Sequence, residues 1–486
     1  MSDPCAAAAA IGPAWCRRRL AKGAVAVGTV LFAGSIAPGP AFAHGLVGKQ
    51  DLPIPGWLVA WAAAAVLVVS FVALAVLWPS PRWEHLTERR VAGLPRFLDP
   101  LLGTVGLALF AAVIFVGFVG AQTSTQNALP TLVFAVFWVG VPIASLLFGD
   151  VFRAINPWRA LGRFSGWAAK RMLRELPEPL QYPERLGRWP AAIGIFAFVW
   201  VELIYSGRGD PSSLAVLALL YTVVQLVGMS LYGVEPWSRR ADAFGVYFGL
   251  FARLSPLHWR RAGLYVRPPF AGAAGLIATA GTVALLCVMI GTTSFDGLTQ
   301  GPTWNSISGW LLDDLRDIGV SPQRSVEVTF TLGLLGMIGA VYALYRLGIE
   351  GVWTVDHRRT VSELAGAFVH SLIPIALAYV VAHYFGLLAY QGQAIAYLAS
   401  DPLADGSDLF GTANSAIDYG WISATGVWYV QVITLVIGHA AGLTLAHDRA
   451  TAMYDDPRLA VRSQYWLLAV MVAFTGFALW LLSASA

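Results

Sequence analysis

The sequence has few cysteines and few charged residues, and both shortages limit what the protein can be. Of its 486 residues, 57% are hydrophobic, 12% are charged and only three are cysteines. A chain this apolar, with long uncharged runs, is typical of a membrane protein that crosses the bilayer many times. Cys5 and Cys16 fall within a predicted signal peptide and only Cys287 remains. We therefore expect neither an intrachain disulfide nor a multi-cysteine metal centre.

Several catalytic and nucleotide-binding motifs are also missing. The sequence contains no HExxH, no HxH pair, no Walker A loop and no GxSxG elbow. The sequence therefore does not match soluble zinc phosphotriesterases or serine hydrolases in the spacing of their motifs. It also gives no support to a nucleotide-driven pump. The net charge is +4, but the basic residues are concentrated in particular loops. That distribution favours a role in membrane orientation, and we predict no nucleic-acid partner.

The first 43 residues predict a cleaved secretory signal peptide. They contain a basic segment, an apolar stretch from Gly23 to Ile36 and an A-x-A cleavage site at residues 41–43. The run RRRLAK also resembles a twin-arginine signal, so the sequence leaves both export routes open. Cleavage at this site makes His44 the first residue of the mature chain, and its free amine and imidazole together can chelate a metal ion.

Ten apolar segments after the signal peptide are long enough to cross a bilayer, since about 20 helical residues span the hydrocarbon core. Because lipid offers the backbone no hydrogen bonds, each of these segments must be helical. The predicted fold class is therefore all-α, a polytopic membrane helical bundle that forms one domain over residues 44–486. The spans are placed near residues 56–78, 98–120, 128–149, 190–206, 213–233, 268–292, 326–348, 363–389, 422–446 and 463–484.

The basic residues predict how the bundle is oriented. With His44 outside, the loops that face the cytoplasm contain eight Lys or Arg between Arg153 and Arg188, and six between Arg239 and Arg267. This is the positive-inside pattern, and it predicts a bacterial inner-membrane protein with both mature termini on the periplasmic side. The outer segments contain only Lys49, Arg208, Arg316 and Arg324.

Two connecting segments have amphipathic patterns. Residues 159–176 place apolar side chains near one helical face and arginines elsewhere, which predicts a helix lying along the cytoplasmic surface. Residues 304–319 mix tryptophan, leucine and isoleucine with acids. This second pattern predicts a short interfacial lid on the outer side.

Ionisable residues within the spans are costly in lipid and are therefore candidates for function. With a rise of roughly 1.5 Å per helical residue, Glu202 and His383 are expected near the outer surface, close to His44. His370 and His439 are expected at similar depths nearer the cytoplasm, on neighbouring antiparallel helices. The possible additions to the outer group are Asp51, Asp210, Asp296 and Asp418, and those to the inner group are His447 and Asp448.

Imidazole and carboxylate groups suit several divalent metal ions, so the residue types predict a metal site without selecting the ion. The predicted metal ligands are His44, Glu202, His370, His383 and His439. Glu202 and His383 are also the predicted catalytic residues. A neutral histidine bonded to a neighbouring helix explains each intramembrane ring equally well, and that alternative stays open.

A resemblance to a known family rests on four stretches: HGLVGKQDLPIPGWLVAWAAAAVLVVSFVALAVLW, LFGDVFRAINPWRALGRF, LGRWPAAIGIFAFVWVELIYS and DAFGVYFGLFARLSPLHWR. They resemble a family of bacterial multispanning proteins named fenitrothion hydrolase, and the likeness extends over nearly the whole mature chain. The resemblance implies hydrolysis of a phosphorothioate triester at the aryl ester bond, giving a nitrophenol and a dialkyl thiophosphate. It assigns no catalytic residue.

Such a small lipophilic organophosphate would partition into membrane lipid and reach a site among the helices. The nucleophile expected there is a metal-activated water.

Two other functions fit the same sequence features. Intramembrane histidines and helix-breaking Pro and Gly also suit a permease for a metal ion or for protons. If His370 and His439 lie at the same depth in the membrane, they could instead ligate haem in a respiratory-type membrane subunit.

Overall fold

The structure is a computed structural model that describes residues 56–84, 88–172, 177–260 and 263–484. The predicted signal peptide, its cleavage site and His44 lie outside these residues. The described chain is mostly helical and contains three short strands.

The helices are numbered in chain order. They are α1 (Gly56–Leu77), α2 (Leu98–Val119), α3 (Ala128–Phe148), α4 (Val151–Ile155), α5 (Pro157–Met172), α6 (Trp189–Leu203), α7 (Pro211–Tyr232), α8 (Val234–Arg240), α9 (Ala243–Ala252), α10 (Ala271–Ala274), α11 (Thr282–Thr299), α12 (Pro302–Asp317), α13 (Pro322–Trp353), α14 (Val361–Phe368), α15 (Leu372–Tyr390), α16 (Ile395–Ser400), α17 (Ala424–Met453), α18 (Pro457–Ser463) and α19 (Tyr465–Ala484).

Nine helical segments of the described residues are long and apolar enough to cross a membrane. They are α1, α2, α3, α7, α11, α13, α17, the run from α14 to α16 and the run from α18 to α19. The predicted helical bundle is thus confirmed. The segment predicted as a span near 190–206 is the 15-residue α6, which at roughly 1.5 Å per residue is shorter than the hydrocarbon core.

Consecutive long helices alternate in direction, so their connecting segments meet at two ends of the bundle. Among the described residues, the basic end is formed by 78–84, 88–97, 149–172, 177–188, 233–260, 263–281, 354–360 and 454–464. The opposite end is formed by residues 120–127, 204–210, 300–321 and 391–423. Side-chain contacts join helix ends to these segments, such as Arg449 with Glu84 at 2.9 Å and Gln323 with Ser206 at 2.9 Å.

The predicted span at 268–292 is wrong in its first half. The chain there forms only the one-turn α10, and α11 begins at Thr282 and continues to Thr299. Phe270 and Gly281 have positive φ angles of 65° and 76°, and such residues interrupt a right-handed helix. The apolar composition does not reveal this break. As a result, Asp296 lies within a helix and not in the outer loop where we expected it.

The segment from 234 to 267, expected as a loop, contains the buried helix α9. Its side chains Tyr247, Phe248 and Phe251 are at most 1% exposed. Asp242, the residue before α9, has a buried carboxylate that accepts hydrogen bonds from Asn156 Nδ2 and Tyr221 Oη, both at 2.7 Å. These bonds fix the start of α9 against α7 and against the start of α5.

A three-stranded antiparallel sheet at the basic end was not predicted. Its strands are β1 (Arg89–Ala92), β2 (Leu257–Arg260) and β3 (Gly263–Val266), in the order β1-β3-β2. Val266 is paired with Arg89 on one side and with Leu257 on the other. The sheet joins the connection after α1 to the connection after α9.

An ion cluster beside this sheet surrounds Glu88. Its carboxylate contacts His258 Nδ1 at 2.8 Å and also pairs with Arg260 and Arg267. Burial raises the pKa of Glu88, but the hydrogen bond from His258 and the charges of His258 and the two arginines outweigh burial and hold that pKa below its usual value. The cluster therefore stabilises the sheet as long as Glu88 is ionised.

The central helix of the bundle is α15, most of whose residues are buried. It packs closely against α17 at two glycines. A Cβ atom on Gly438 would lie 2.3 Å from the Cβ of Ala378, and one on Gly442 would lie 2.7 Å from the carbonyl oxygen of Ser371. This close approach sets the relative depth of the two helices that contain three of the eight histidines.

The two amphipathic segments form α5 and α12, as their patterns predict. In α5, Phe164 and Trp167 are exposed, whereas Arg159 is buried and pairs with Asp99 at 2.9 Å. In α12, Trp304 is buried against the bundle. Whether either helix lies on a membrane surface stays a prediction.

Candidate active site

An aspartate–histidine pair lies inside the bundle near the opposite end. His383 is on α15, and its Nε2 atom is 2.8 Å from Oδ2 of Asp296 on α11. The aspartate side chain is 12% exposed and the histidine side chain 23% exposed. A carboxylate that is mostly shielded from solvent therefore contacts an imidazole that is partly accessible.

The bond to Asp296 assigns the tautomer of His383. With Nε2 protonated and donating to the carboxylate, the lone pair of the neutral ring is on Nδ1. Among the described residues Nδ1 has no hydrogen-bond partner, and it is not one of the buried unpartnered atoms. A Cβ atom on Gly297 would lie 3.7 Å from Nδ1, so the glycine leaves room beside this nitrogen.

Tyr384 connects the pair to Glu202. The Tyr384 hydroxyl lies within electrostatic range of the carboxyl groups of both Asp296 and Glu202. Because a hydroxyl has a single proton, it can donate to only one of these carboxyl groups at a time. We call Glu202, Asp296, His383 and Tyr384 the carboxylate–histidine cluster. Two residues predicted to be neighbours, Glu202 and His383, thus belong to one connected group.

Aromatic side chains lie next to this cluster. Trp138 stacks on Tyr247 of α9, with ring centroids 4.6 Å apart and planes at 12°. Trp138 belongs to a nine-residue π-helical segment of α3, Leu132–Gly140. π-Helical turns are rare and are frequently found at functional sites. This one places the Trp138 indole beside Tyr384.

The other residues predicted for the outer group do not join the cluster among the described residues. His44 and Asp51 lie outside them. Asp210 caps α7 by accepting a hydrogen bond from the Ser213 backbone nitrogen at 3.2 Å. Asp418 accepts a hydrogen bond from the Gly420 backbone nitrogen at 2.7 Å in the segment after α16. Each of these two aspartates therefore has a local structural role.

His370 and His439 do not form the facing pair that we expected. His370 Nε2 is 3.3 Å from the carbonyl oxygen of Leu445, and His439 Nδ1 is 2.8 Å from the carbonyl oxygen of Leu435. Within the described part of the chain, no contact joins the two rings; His439 instead lies beside Tyr379, with ring centroids 6.0 Å apart. This geometry gives no support to a haem held between the two histidines.

His447 and Asp448 bind the segment that follows α1. His447 Nε2 contacts the carbonyl oxygen of Trp78 at 3.0 Å, and its Nδ1 contacts Gln464 Oε1 at 3.2 Å. Asp448 Oδ1 accepts hydrogen bonds from Trp78 Nε1 at 2.9 Å and from the Arg82 backbone nitrogen at 2.7 Å. Both side chains thus hold helices and a loop together. Their contacts agree with the alternative in which such polar residues stabilise the bundle and have no catalytic role.

The metal prediction can be compared with the donor atoms that the structure brings together. Within residues 56–84, 88–172, 177–260 and 263–484, no group of three or more His, Cys, Asp or Glu side chains is placed to hold a metal ion. Catalytic zinc sites typically use about three protein ligands, whereas Asp296 and His383 supply two that are bonded to each other. The described donor set alone therefore falls short of the three protein ligands of a catalytic zinc site.

Sequence reasoning missed the roles of Tyr384, Tyr247 and Trp138. Aromatic residues are common in membrane helices, so nothing in the pattern distinguished these three from ring side chains that only fill space. The direct succession of His383 and Tyr384 was the one available signal. Asp296 was considered only as a possible additional ligand, because its helix was predicted to end too early.

No protein-family model, curated protein or solved structure matches this chain. A functional conclusion therefore depends on the chemistry of the carboxylate–histidine cluster and on the resemblance described above.

Proposed function

We propose that the protein is a membrane-bound hydrolase of organophosphorus triesters. The proposed substrate is a phosphorothioate triester such as fenitrothion, cleaved at the bond between phosphorus and the aryl oxygen. The observation that supports this proposal is the 2.8 Å contact between His383 Nε2 and Asp296 Oδ2. It orients an accessible imidazole nitrogen in the way that general-base catalysis requires.

The proposed reaction uses His383 as the general base. Its Nδ1 atom removes a proton from a water molecule while the water oxygen attacks phosphorus, and the bond from phosphorus to the aryl oxygen breaks. Asp296 holds the Nε2 proton and stabilises the positive imidazolium that forms. Overall, one water and one triester give a dialkyl thiophosphate and a nitrophenol. Nitrophenolate is a good leaving group, so the reaction does not require a general acid.

The surroundings of the cluster suit a neutral and lipophilic substrate. Apolar helices surround the site, and the buried side chains of Trp138 and Tyr247 lie beside it. A site with mostly apolar walls and a few converging polar groups is the usual form of a small-molecule pocket. The substrate would enter from the lipid, without crossing the aqueous phase.

The proposed location is the bacterial inner membrane, with the basic end in the cytoplasm and the opposite end in the periplasm. The asymmetric distribution of lysine and arginine supports this orientation. It places the carboxylate–histidine cluster towards the periplasmic side. Export and cleavage of the signal peptide would place the mature amino terminus, His44, on the same periplasmic side.

The direct test is release of nitrophenolate from a nitrophenyl thiophosphate triester by purified protein in detergent or lipid nanodiscs. We expect His383→Ala to lower the rate about 10²- to 10⁴-fold, the usual contribution of a general base. His357→Ala is the matched control, because His357 is an exposed histidine at the basic end, in edge-to-face contact with Trp353. Folded protein that releases no nitrophenolate would refute the proposal.

A second candidate is a proton-coupled or cation permease. It is favoured by the presence of two carboxyl groups, Glu202 and Asp296, within interaction range of each other inside the bundle. Intramembrane carboxyl groups often form ion or proton pathways. Proteoliposomes separate the two candidates: a permease changes the internal pH or ion content without triester, whereas a hydrolase releases nitrophenolate without an ion gradient.

A further inference from the structure

Three buried polar atoms near Glu202 lack hydrogen-bond partners in the described part of the chain. They are Glu202 Oε2, Trp138 Nε1 and the Tyr247 hydroxyl oxygen. In membrane proteins and in soluble cores, nearly all buried polar atoms have a partner, and an unpaired one costs about 1–3 kcal/mol. Three such atoms in one region therefore need an explanation.

Several contacts place these atoms in the same region. The rings of Trp138 and Tyr247 stack at 4.6 Å, and the Tyr247 hydroxyl lies within electrostatic range of the Glu202 carboxyl group. Trp138 and Glu202 both approach the hydroxyl of Tyr384. The π-helical segment of α3 directs Trp138 to this position. The three unpartnered atoms thus belong to neighbouring residues beside the carboxylate–histidine cluster.

The bonding requirements of the three atoms are complementary. An indole nitrogen can only donate, a carboxylate oxygen can only accept, and a phenol hydroxyl can do both. Water also donates and accepts, and a buried water typically makes about three hydrogen bonds to groups that would otherwise be unsatisfied. A bare cation would satisfy the carboxylate but not the indole N–H.

We propose that the space between Trp138, Glu202 and Tyr247 holds buried water. This water and the Tyr384 hydroxyl connect Glu202 to the Asp296–His383 pair. The connected groups form a path along which a proton can exchange between His383 and the buried carboxyl group of Glu202. The water site depends on the geometry of these side chains and not on the identity of the reaction.

Hydroxyl-radical labelling by X-ray radiolysis tests this proposal, because radicals made from a bound water oxidise the adjacent side chain even when bulk solvent cannot reach it. The whole protein is irradiated in lipid nanodiscs, and each oxidised peptide is quantified by mass spectrometry. We expect Trp138 and Tyr247, each 1% exposed, to be oxidised several-fold faster than buried residues whose polar atoms have protein partners.

The chain supplies matched comparison residues. Trp158 is 5% exposed and donates to Thr222 Oγ1 at 2.9 Å. Tyr345 is 4% exposed and donates to the Ala365 carbonyl oxygen at 2.6 Å. Equal oxidation of Trp138 and Trp158, and of Tyr247 and Tyr345, would overturn the proposal.

A variant adds a second measurement. Trp138→Phe removes the indole N–H, the one atom of the site that can donate a hydrogen bond but not accept one. Because the water loses this donor, we expect oxidation of Tyr247 to fall several-fold while oxidation of Tyr345 stays constant. Unchanged Tyr247 oxidation in a folded variant would show that Trp138 is not a ligand of the water and would refute the site as described. If the variant does not fold, the comparison within the wild-type protein still decides the question.

Discussion

His383 Nε2 contacts Asp296 Oδ2 at 2.8 Å, although the two residues are 87 positions apart in the chain. The contact joins α15 to α11 near the opposite end of the bundle. It leaves Nδ1 of the imidazole ring as the free basic nitrogen. The proposed catalytic role of His383 depends on this arrangement, and the first prediction concerns the aspartate.

Asp296→Asn should lower kcat for triester hydrolysis by about 10²- to 10⁴-fold, with little change in KM. The amide keeps the size of the side chain but can neither stabilise the imidazolium nor select the same tautomer. Steady-state kinetics with a nitrophenyl triester measures this effect. Asp418→Asn serves as the control, since Asp418 lies in an exposed connecting segment. Equal activity of the two variants would show that Asp296 does not act on His383.

Tyr384→Phe should lower kcat less than Asp296→Asn does. The substitution removes the hydroxyl that interacts electrostatically with Asp296 and Glu202, while the ring and the His383–Asp296 contact remain. A pH–rate profile distinguishes this role from simple packing, because the loss of a proton path shifts the profile and a packing defect does not. A Tyr384→Phe enzyme with wild-type kinetics at every pH would contradict the role of the hydroxyl.

Removal of divalent metal ions should leave hydrolysis in place. The described residues do not bring together three metal ligands, and the proposed general base needs none. The assay is nitrophenolate release before and after dialysis against a chelator, followed by addition of single divalent ions. Loss of activity on chelation, restored by one ion, would contradict this expectation. His44 would then be the next candidate metal ligand. A variant whose mature chain begins one residue before His44 would test this, because His44 would no longer have a free amine.

Glu88→Gln should destabilise the protein at neutral pH and not in acid. The pKa of Glu88 is held below its usual value by His258, Arg260 and Arg267. The cluster therefore contributes stability above the unfolded-state pKa of about 4.3, and this contribution is lost as the pH falls through the lower folded-state pKa. At pH 7 we expect a loss of about 1.5–3 kcal/mol, the range for hydrogen bonds to charged groups.

Thermal unfolding followed by tryptophan fluorescence measures the effect of Glu88→Gln across this pH range. Glu178→Gln is the control, because Glu178 is exposed in the segment before α6. A difference between wild type and Glu88→Gln that is constant with pH would show that the ionised carboxylate is not the stabilising group.

Gly438→Ala should destabilise the bundle by about 1–3 kcal/mol, the usual cost of overpacking. The new methyl group would lie 2.3 Å from Ala378 Cβ and 2.8 Å from the Pro374 carbonyl oxygen, so α15 and α17 would have to separate. Gly339→Ala on α13 is the matched control, since nothing lies within 4 Å of its Cβ position. Equal melting temperatures for the two variants would show that the close approach of α15 and α17 is not required.

Much of the architecture can be read from the sequence, because the cost of placing side chains in lipid is local. Apolar runs such as 98–120 and 213–233 predict helices whose observed bounds differ by at most a few residues. The same reasoning identifies Glu202 and His383, because an ionisable side chain within an apolar run is costly in lipid. It fails at residues 268–281, because average hydropathy contains no information about the positive φ angles of Phe270 and Gly281.

The composition of the site was decided by the tertiary structure. Which side chains meet depends on the rotation and depth of each helix, and close packing between distant segments sets both. The continuation of α11 to Thr299 places Asp296 within the helix, beside His383. The approach of α17 to α15 at Gly438 and Gly442 leaves His370 and His439 bonded to main-chain carbonyl groups instead of to a shared ligand. The sequence by itself determined that ionisable groups lie within a helical membrane bundle, and only the packing of the helices decided which of them act together.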